Sequence, residues 1–520
     1  MGFIDFSLPL AVVTGCVIVV HSLATYYRAS KSVSGDAASS SGPREGRGQW
    51  QLPPGPREWP LVGSLPRLLF SGKDQADVIS DWSRRFGDVF TFTVLGTRFV
   101  ILSKLELIQK TFVNADINDM APIPPCNKAL SIPPNAGIGI IAASEGPGWK
   151  ALRRFLVTCL RRTKLGSRSF ENVAADEAER LLANFRSFGE DFFDPLPSVN
   201  VAVANVMTQL AMGQTYDFDD EEFQHLTRLA DDVFAYFGTG SILSAVPALS
   251  YFPSEETRKG EIAIEQMFEF IRKSAERHRA DFDAEREPRD LIECFLLEQH
   301  ERKFKGDLGV FDDNNLLQFT WDVIIGGWQT INTTILWYLL ILAYHPDVQL
   351  RVQAEIDRVV GRHRRPSLAD RPRLPFVEAA MAECYRHSRL LPVQIPHRTR
   401  RDVTVAGYHL PAGTYVASNT HFLCSSPELW DEPDEFYPER FLDETGAFDR
   451  QREAGLVEFG VGRRACPGEQ LSRMELFIMF TFIFQNFTIQ LPEGAPHTMQ
   501  GKSGLTVNPL PFKIRASRRD

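Results

Sequence analysis

The segment Phe459-Gly460-Val461-Gly462-Arg463-Arg464-Ala465-Cys466-Pro467-Gly468 sets one cysteine among glycines and arginines. A thiolate is a nucleophile and a metal ligand, and its surroundings decide whether it forms. Glycine carries no Cβ, so backbone rich in it can approach a flat ligand closely. Leu471, Met474 and Ile478 follow at helical spacing, which predicts a helix from Glu469 to Phe480. Cys466 then stands just before a helix N-terminus, where amides and dipole favour a thiolate. Pro467 suits the first helical position. Arg464 is placed to pair with an anionic group. A buried, inert cysteine in a tight turn is the competing reading.

Other groupings carry weaker signals. Glu383 and Arg386 are i,i+3 neighbours on a helix, as are many solvated ion pairs. Trp149 and Arg153 are i,i+4 neighbours that can face one ligand edge, or the Trp can pack in the core. Thr320 to Tyr344 is mostly apolar and is interrupted by Gly326-Gly327. Each glycine costs a helix interior about 1 kcal/mol against Ala. Such a pair serves either a ligand's approach to the backbone or close packing of another helix.

Elements must position these residues. Periodicity predicts helices near 149–163, 172–188, 199–212, 261–280, 314–344, 346–360 and 374–387. Strand-like runs fall near 88–94, 97–102, 403–406, 414–418 and 505–514. Many helices with a minor sheet make a large, mainly α body. No linker-like stretch follows Pro53, so 53–520 reads as one domain.

The net charge of −9 argues against wholesale nucleic-acid binding. Lys150, Arg153, Arg154, Arg161, Arg162 and Lys164 form a local basic cluster, either a solvated face or a landing site for an acidic protein. The seven cysteines are odd in number and lack a C-x-x-C pair, which fits neither a disulfide scaffold nor a zinc knuckle.

Phe6 to Ala24 is nearly continuous in apolar residues, about the length that spans a bilayer. No Lys or Arg precedes Arg28, so the positive-inside rule places the rest of the chain in the cytosol. A cleaved secretory peptide is the rival reading. Residues 1–27 thus read as a membrane anchor and 28–52 as a flexible linker. Pro53-Pro54-Gly55-Pro56 follows as a stiff extended hinge.

The cysteine segment resembles F-x-x-G-x-R-x-C-x-G, the haem-binding loop of the cytochrome P450 family. Glu383-Cys384-Tyr385-Arg386 resembles E-x-x-R, Pro438-Glu439-Arg440-Phe441 resembles P-E-R-F, and Trp149 to Arg153 resembles W-x-x-x-R. The likeness covers roughly residues 50 to 515 and looks closest to the animal microsomal branch. It implies a large helical domain with a small β-rich lobe behind an N-terminal transmembrane helix in the endoplasmic reticulum membrane. It implies haem b with Cys466 on the iron, and cofactor contacts from Arg464, Trp149, Arg153, His397, Phe459, Gly462 and Gly468. Glu383, Arg386 and Arg440 would form a structural ion network.

Gly326-Gly327-Trp328-Gln329-Thr330 resembles the family's A/G-G-x-D/E-T. Thr330 falls on the threonine of proton delivery. Gln329 stands where a carboxylate is usual, and an amide cannot act as an acid–base group. The resemblance lets Ile325, Gly326, Val393, Ile395 and Leu505 line a substrate pocket, with the loop 138–142 and Thr506. The implied reaction inserts one atom of O2 into a lipophilic steroid, fatty acid or xenobiotic. Electrons would come from NADPH through a reductase, with cytochrome b5 as a further partner. An isomerase or dehydratase acting without NADPH, or a non-catalytic haem-binding protein, are the alternatives that Gln329 and Trp328 keep open.

Overall fold

The computed structural model describes residues 51–121, 137–161, 164–165, 168–237, 255–495 and 498–519. The expected anchor and most of the linker lie outside these residues. Among the described residues no helix is long and apolar enough to cross a membrane.

The proline hinge docks on the sheet. The Pro54 carbonyl accepts the Thr91 amide at 2.8 Å. A Cβ on Gly55 would sit 1.8 Å from the Thr91 carbonyl oxygen, so only glycine fits there. Thr91 belongs to β1 (Val89–Val94), which pairs antiparallel with β2 (Thr97–Leu102). The turn between them places Leu95 and Gly96 at positive φ, as a tight hairpin requires. The sheet continues through β5 (Tyr415–Ser418), β4 (His397–Arg398) and β3 (Asp119–Met120), in the order β1-β2-β5-β4-β3. Register sets His397 opposite Met120 on one side and Val416 on the other.

The rest is mainly helical. The helices of eight or more residues are α1 (Gln75–Phe86), α2 (Leu105–Phe112), α3 (Pro147–Arg161), α4 (Phe170–Ser187), α5 (Leu196–Met212) and α6 (Glu221–Phe237). After them come α7 (Glu255–Ala280), α8 (Leu291–Phe304), α9 (Asp313–Tyr344), α10 (Pro346–Val359), α11 (Pro375–Ser388) and α12 (Glu469–Asn486). Each predicted helix is present within a few residues, apart from six-residue differences at the start of α7 and the end of α12. Helices α1, α2, α6 and α8 go beyond the prediction. The apolar signal of α6 lies in Phe223, Leu226, Ala230 and Val233, all buried at helical spacing behind a charged first turn.

Helix α9 is the axis of the core. Asp312 caps it by accepting the Asn315 amide, and 23 of its 32 residues are buried. Gly326-Gly327 does not interrupt it. The two glycines divide the roles foreseen for them. A Cβ at Gly327 would fall 2.4 Å from Met207 Cε on α5, so this glycine admits a close helix contact. A Cβ at Gly326 would meet only Ile141 Cδ1, at 3.8 Å, so this one leaves open space.

Of the later strand expectations, 403–406 is met and 505–514 needs correction. The run 403–406 is half of a hairpin, Val403–Val405 with Tyr408–Leu410, turned at Ala406-Gly407. The run 505–514 yields only Val507–Pro509, paired with Gly501–Ser503. Pro509 and Pro511 lack the amides needed to extend that ladder. Pro467 is likewise outside its helix: Gly468 is the cap of α12 and Glu469 its first residue.

Candidate haem-thiolate site

The cysteine loop is closed by its own backbone. The Cys466 amide donates to the Phe459 carbonyl at 2.8 Å. Gly460 and Gly462 adopt φ of 71° and 76°, where a side chain would strain the chain. Gln394 Nε2 holds the loop's entry by donating to the Val457 carbonyl at 2.6 Å.

Cys466 forms one wall of an internal cavity of about 410 Å³, a size suited to a cofactor and small ligand. Its side chain is accessible, yet protein surrounds it on nearly all sides, so the accessible face is the cavity and not bulk water. Burial pushes the thiol pKa up. The Gly468 and Glu469 amides and Arg153 act in the opposite direction. The helix start therefore assists the thiolate as expected, but desolvation outweighs it in the protein alone. A cation at Sγ would reverse that balance.

The cavity is also lined by Ile325, Gly326, Gln329 and Thr330 of α9 and by Val393, Ile395 and Leu505. The Thr330 hydroxyl donates to the Gly326 carbonyl at 3.2 Å. Phe459, Gly468, Ile140, Ile141 and Ala142 also line it, whereas Ile138 is exposed at the surface. Trp328 does not line the cavity. It is fully buried and donates to Asn200 Oδ1 at 2.6 Å.

Two guanidinium groups converge on the same cavity. Arg464 donates to the Asn118 carbonyl at 2.9 Å and the Ala143 carbonyl at 2.6 Å. Its remaining nitrogen, Nη1, is buried without a partner. Burial, and then the like charge of Arg153, push its pKa down to about 10. Arg153 donates to the Ala465 carbonyl beside the cysteine. Among the described residues neither has a carboxylate within ion-pair distance. Two like charges facing a cavity, one with an orphaned N–H, fit an anionic ligand edge such as haem propionates. With the sulfur and the apolar wall, the donor set suits a haem.

Other expected contacts come out differently. Trp149 is buried away from the cavity wall and donates to the Ile140 carbonyl at 3.1 Å. It supports the arginines instead, with Arg464 over its ring at 3.8 Å. Gly462 also serves packing: a Cβ there would fall 2.2 Å from the Phe112 carbonyl oxygen at the end of α2. His397 is buried on β4 and lines the cavity. Its Nδ1 donates to the Ile117 carbonyl at 2.9 Å, and burial holds its pKa at about 4. Neutral His397 therefore offers a lone pair at Nε2, and pairing with a carboxylate there needs a second proton.

Glu383, Arg386 and Arg440 form the expected buried network. Glu383 accepts Arg386 Nε at 2.7 Å and Arg440 Nε at 3.0 Å. Arg386 also donates to the carbonyls of Cys424, Pro433 and Glu435. All three side chains are buried.

Sequence reasoning missed Asp322. It is a buried carboxylate on the cavity wall, one helical turn before Gly326. Its Oδ2 accepts the Ile140 and Ile141 amides. Burial raises its pKa to about 6. Asn315 holds the neighbouring Ile138 amide at 2.8 Å, so α9 pins the loop 137–142 along its length. The available signal was a lone acid inside an apolar helical run.

The family model described as Cytochrome P450 matches residues 53–516. Cytochrome P450 2U1 of Bos taurus is 32% identical over 495 residues, covering 90% of this chain and 89% of its own length. Cytochrome P450 2D6 of Homo sapiens is 34% identical over 483 residues, with 91% and 95% covered. Cytochrome P450 2D20 of Mesocricetus auratus is 34% identical over 471 residues, with 90% and 93% covered. Likeness on this scale, together with a cysteine that faces an enclosed apolar chamber, places the chain in the cytochrome P450 family of haem-thiolate monooxygenases.

Proposed function

We propose that this protein inserts one oxygen atom from O2 into a lipophilic substrate held in the α9 cavity. Electrons would come from NADPH through a membrane-bound reductase. The observation that supports this reading is that Cys466, Gly326 and Thr330 line one largely apolar cavity. Haem bound there supplies oxygen activation and insertion, with the thiolate favouring O–O cleavage. Arg464 and Arg153 would hold its propionates, and His397 would join them after taking a second proton. Gly326 would leave space open in the cavity wall. Thr330 presents its hydroxyl to that space from a hydrogen bond to the Gly326 carbonyl. Ile325, Val393, Ile395 and Leu505 exclude water and favour an apolar ligand such as a steroid, fatty acid or xenobiotic.

The basic face suits the acidic docking surface of a reductase, and cytochrome b5 would use the same face. Arg154 and Arg161 are exposed on α3, while Lys150 and Arg463 share Glu145 at 3.1 and 3.0 Å. Phe6 to Ala24 would anchor the protein in the endoplasmic reticulum membrane with residues 53–520 in the cytosol.

The test is the carbon monoxide difference spectrum of the reduced protein, followed by NADPH consumption with a reductase. Wild type should show the long-wavelength Soret band of thiolate ligation and Cys466→Ser should lose it. A serine variant that keeps the band would refute the assignment. Turnover without NADPH would replace oxygenation by isomerisation or dehydration.

A further inference from the structure

We infer that Gln329 is a positioning residue: with Asn508 it fixes the hairpin Gly501–Pro509 as a wall of the substrate cavity, and thereby sets which ligands the cavity admits. The inference rests on the reading that this cavity receives the substrate.

Gln329, Thr333 and Trp337 recur every four residues on α9, so they lie on one stripe of the helix. All three reach the hairpin. Gln329 Nε2 donates to Asn508 Oδ1 at 3.0 Å. The Thr333 hydroxyl donates to the same oxygen at 2.7 Å. Trp337 Nε1 donates to the Val507 carbonyl at 2.7 Å. The hairpin has little room to shift at that end, since a Cβ on Gly501 would lie 2.3 Å from Val507 Cγ1. On its far side the Val507 amide donates to the Leu390 carbonyl at 2.8 Å. The turn of the hairpin carries Leu505 and Thr506, both on the cavity wall.

Chemistry explains why an amide stands at position 329. Asn508 Oδ1 already accepts the Thr333 hydroxyl, so it requires a second donor beside it. Glutamine supplies N–H, whereas an ionised carboxylate has only lone pairs. A glutamate would force the Asn508 amide to turn over and release Nδ2 from Thr506, its neighbour in the turn. Position 329 thus spends its side chain on holding the wall, and proton delivery falls to Thr330 and solvent.

The test compares Gln329→Met, Asn508→Ala and the double variant in the haem-loaded protein. Hydrogen exchange of the Val507 amide reports opening of the hairpin. Each single variant should speed it about fivefold, from the usual net value of one neutral hydrogen bond. The double variant should add little to either single one. Asn508→Asp keeps the acceptor oxygen and should retain wild-type protection. Spectral titration with imidazole and the bulkier phenylimidazole should show relative affinity moving about threefold or more toward the bulkier ligand in Gln329→Met.

Unchanged exchange overturns the inference. So does faster exchange with an unchanged ligand ratio, which would leave Gln329 a merely structural contact. Loss of reductant coupling with neither of those changes would also overturn it, moving the role of Gln329 from the hairpin to the hydrogen bonding around Thr330. A wild-type protein without the thiolate carbonyl band would instead refute the proposed function, and exchange at Val507 would stay the same.

Discussion

Replacing Asp322 by asparagine should stabilise the protein in mildly alkaline solution and leave it unchanged in acid. Burial lifts this carboxyl from 3.8 to about 6. At about 1.4 kcal/mol per pH unit, holding it ionised costs the native state about 3 kcal/mol. The sign follows from proton binding. Between 3.8 and about 6 the folded protein holds the proton that the unfolded chain has lost, so stability falls as pH rises through that window. Above it the full cost is present, and below 3.8 it vanishes. Asparagine removes the charge and keeps the contacts. Its carbonyl would accept the Ile140 and Ile141 amides in place of Oδ2. Its NH2 would meet Gln318, which now donates to Oδ1 at 2.9 Å. Gln318 Oε1 is buried without a partner, so a half-turn of that amide supplies the missing acceptor.

Urea unfolding of both proteins at about pH 4.5 and about pH 8 measures the difference. The variant should gain roughly 2–3 kcal/mol at the higher pH and at most about 1 kcal/mol at the lower. A loss at about pH 8 that fades at about pH 4.5 would refute the reasoning, because it would make hydrogen bonds to the ionised form the dominant effect.

Glu383→Gln leaves Arg386 and Arg440 buried without their counter-charge and sets an N–H against Arg386 Nε. It should cost about 3–5 kcal/mol in urea unfolding, while haem-loaded molecules keep their turnover per haem. A midpoint shift worth less than about 1 kcal/mol would show that the network is not a lock on the core. Reversing Arg154 and Arg161 to glutamate should slow reduction by the reductase at low salt, and the deficit should shrink as salt is raised. Stopped-flow reduction rates equal to wild type at low salt would leave the cluster a solvated face.

What could be read from the sequence was local. The cysteine loop was legible because turn glycines, a helix start and a thiol occur within ten residues. The ion network behind it was foreseen from resemblance; Glu383 and Arg386 alone look like any surface pair. Gly326-Gly327 gave two readings, and each belongs to one glycine, a division set by what α5 and the loop 137–142 place against the helix. The contacts that escaped are those between distant segments. Nothing near Gln329 announces Asn508, 179 residues away, as the partner of its amide. Spacing left Trp149 either at a ligand edge or in the core, and the resemblance implied a cofactor contact. Its indole N–H was already claimed by the Ile140 carbonyl, a competitor invisible in helical periodicity.

Arg464 and Arg153 are kept in place by peptide oxygens of Asn118, Ala143 and Ala465, and not by acidic side chains. Peptide oxygens do not titrate. Acidifying the medium therefore breaks none of these tethers. Because one tether is the residue adjoining Cys466, a pull on the ligand's acidic rim is transmitted to the seat of the sulfur. The arginine that would hold the cofactor's acidic edge and the cysteine that would hold its iron are then joined through one loop.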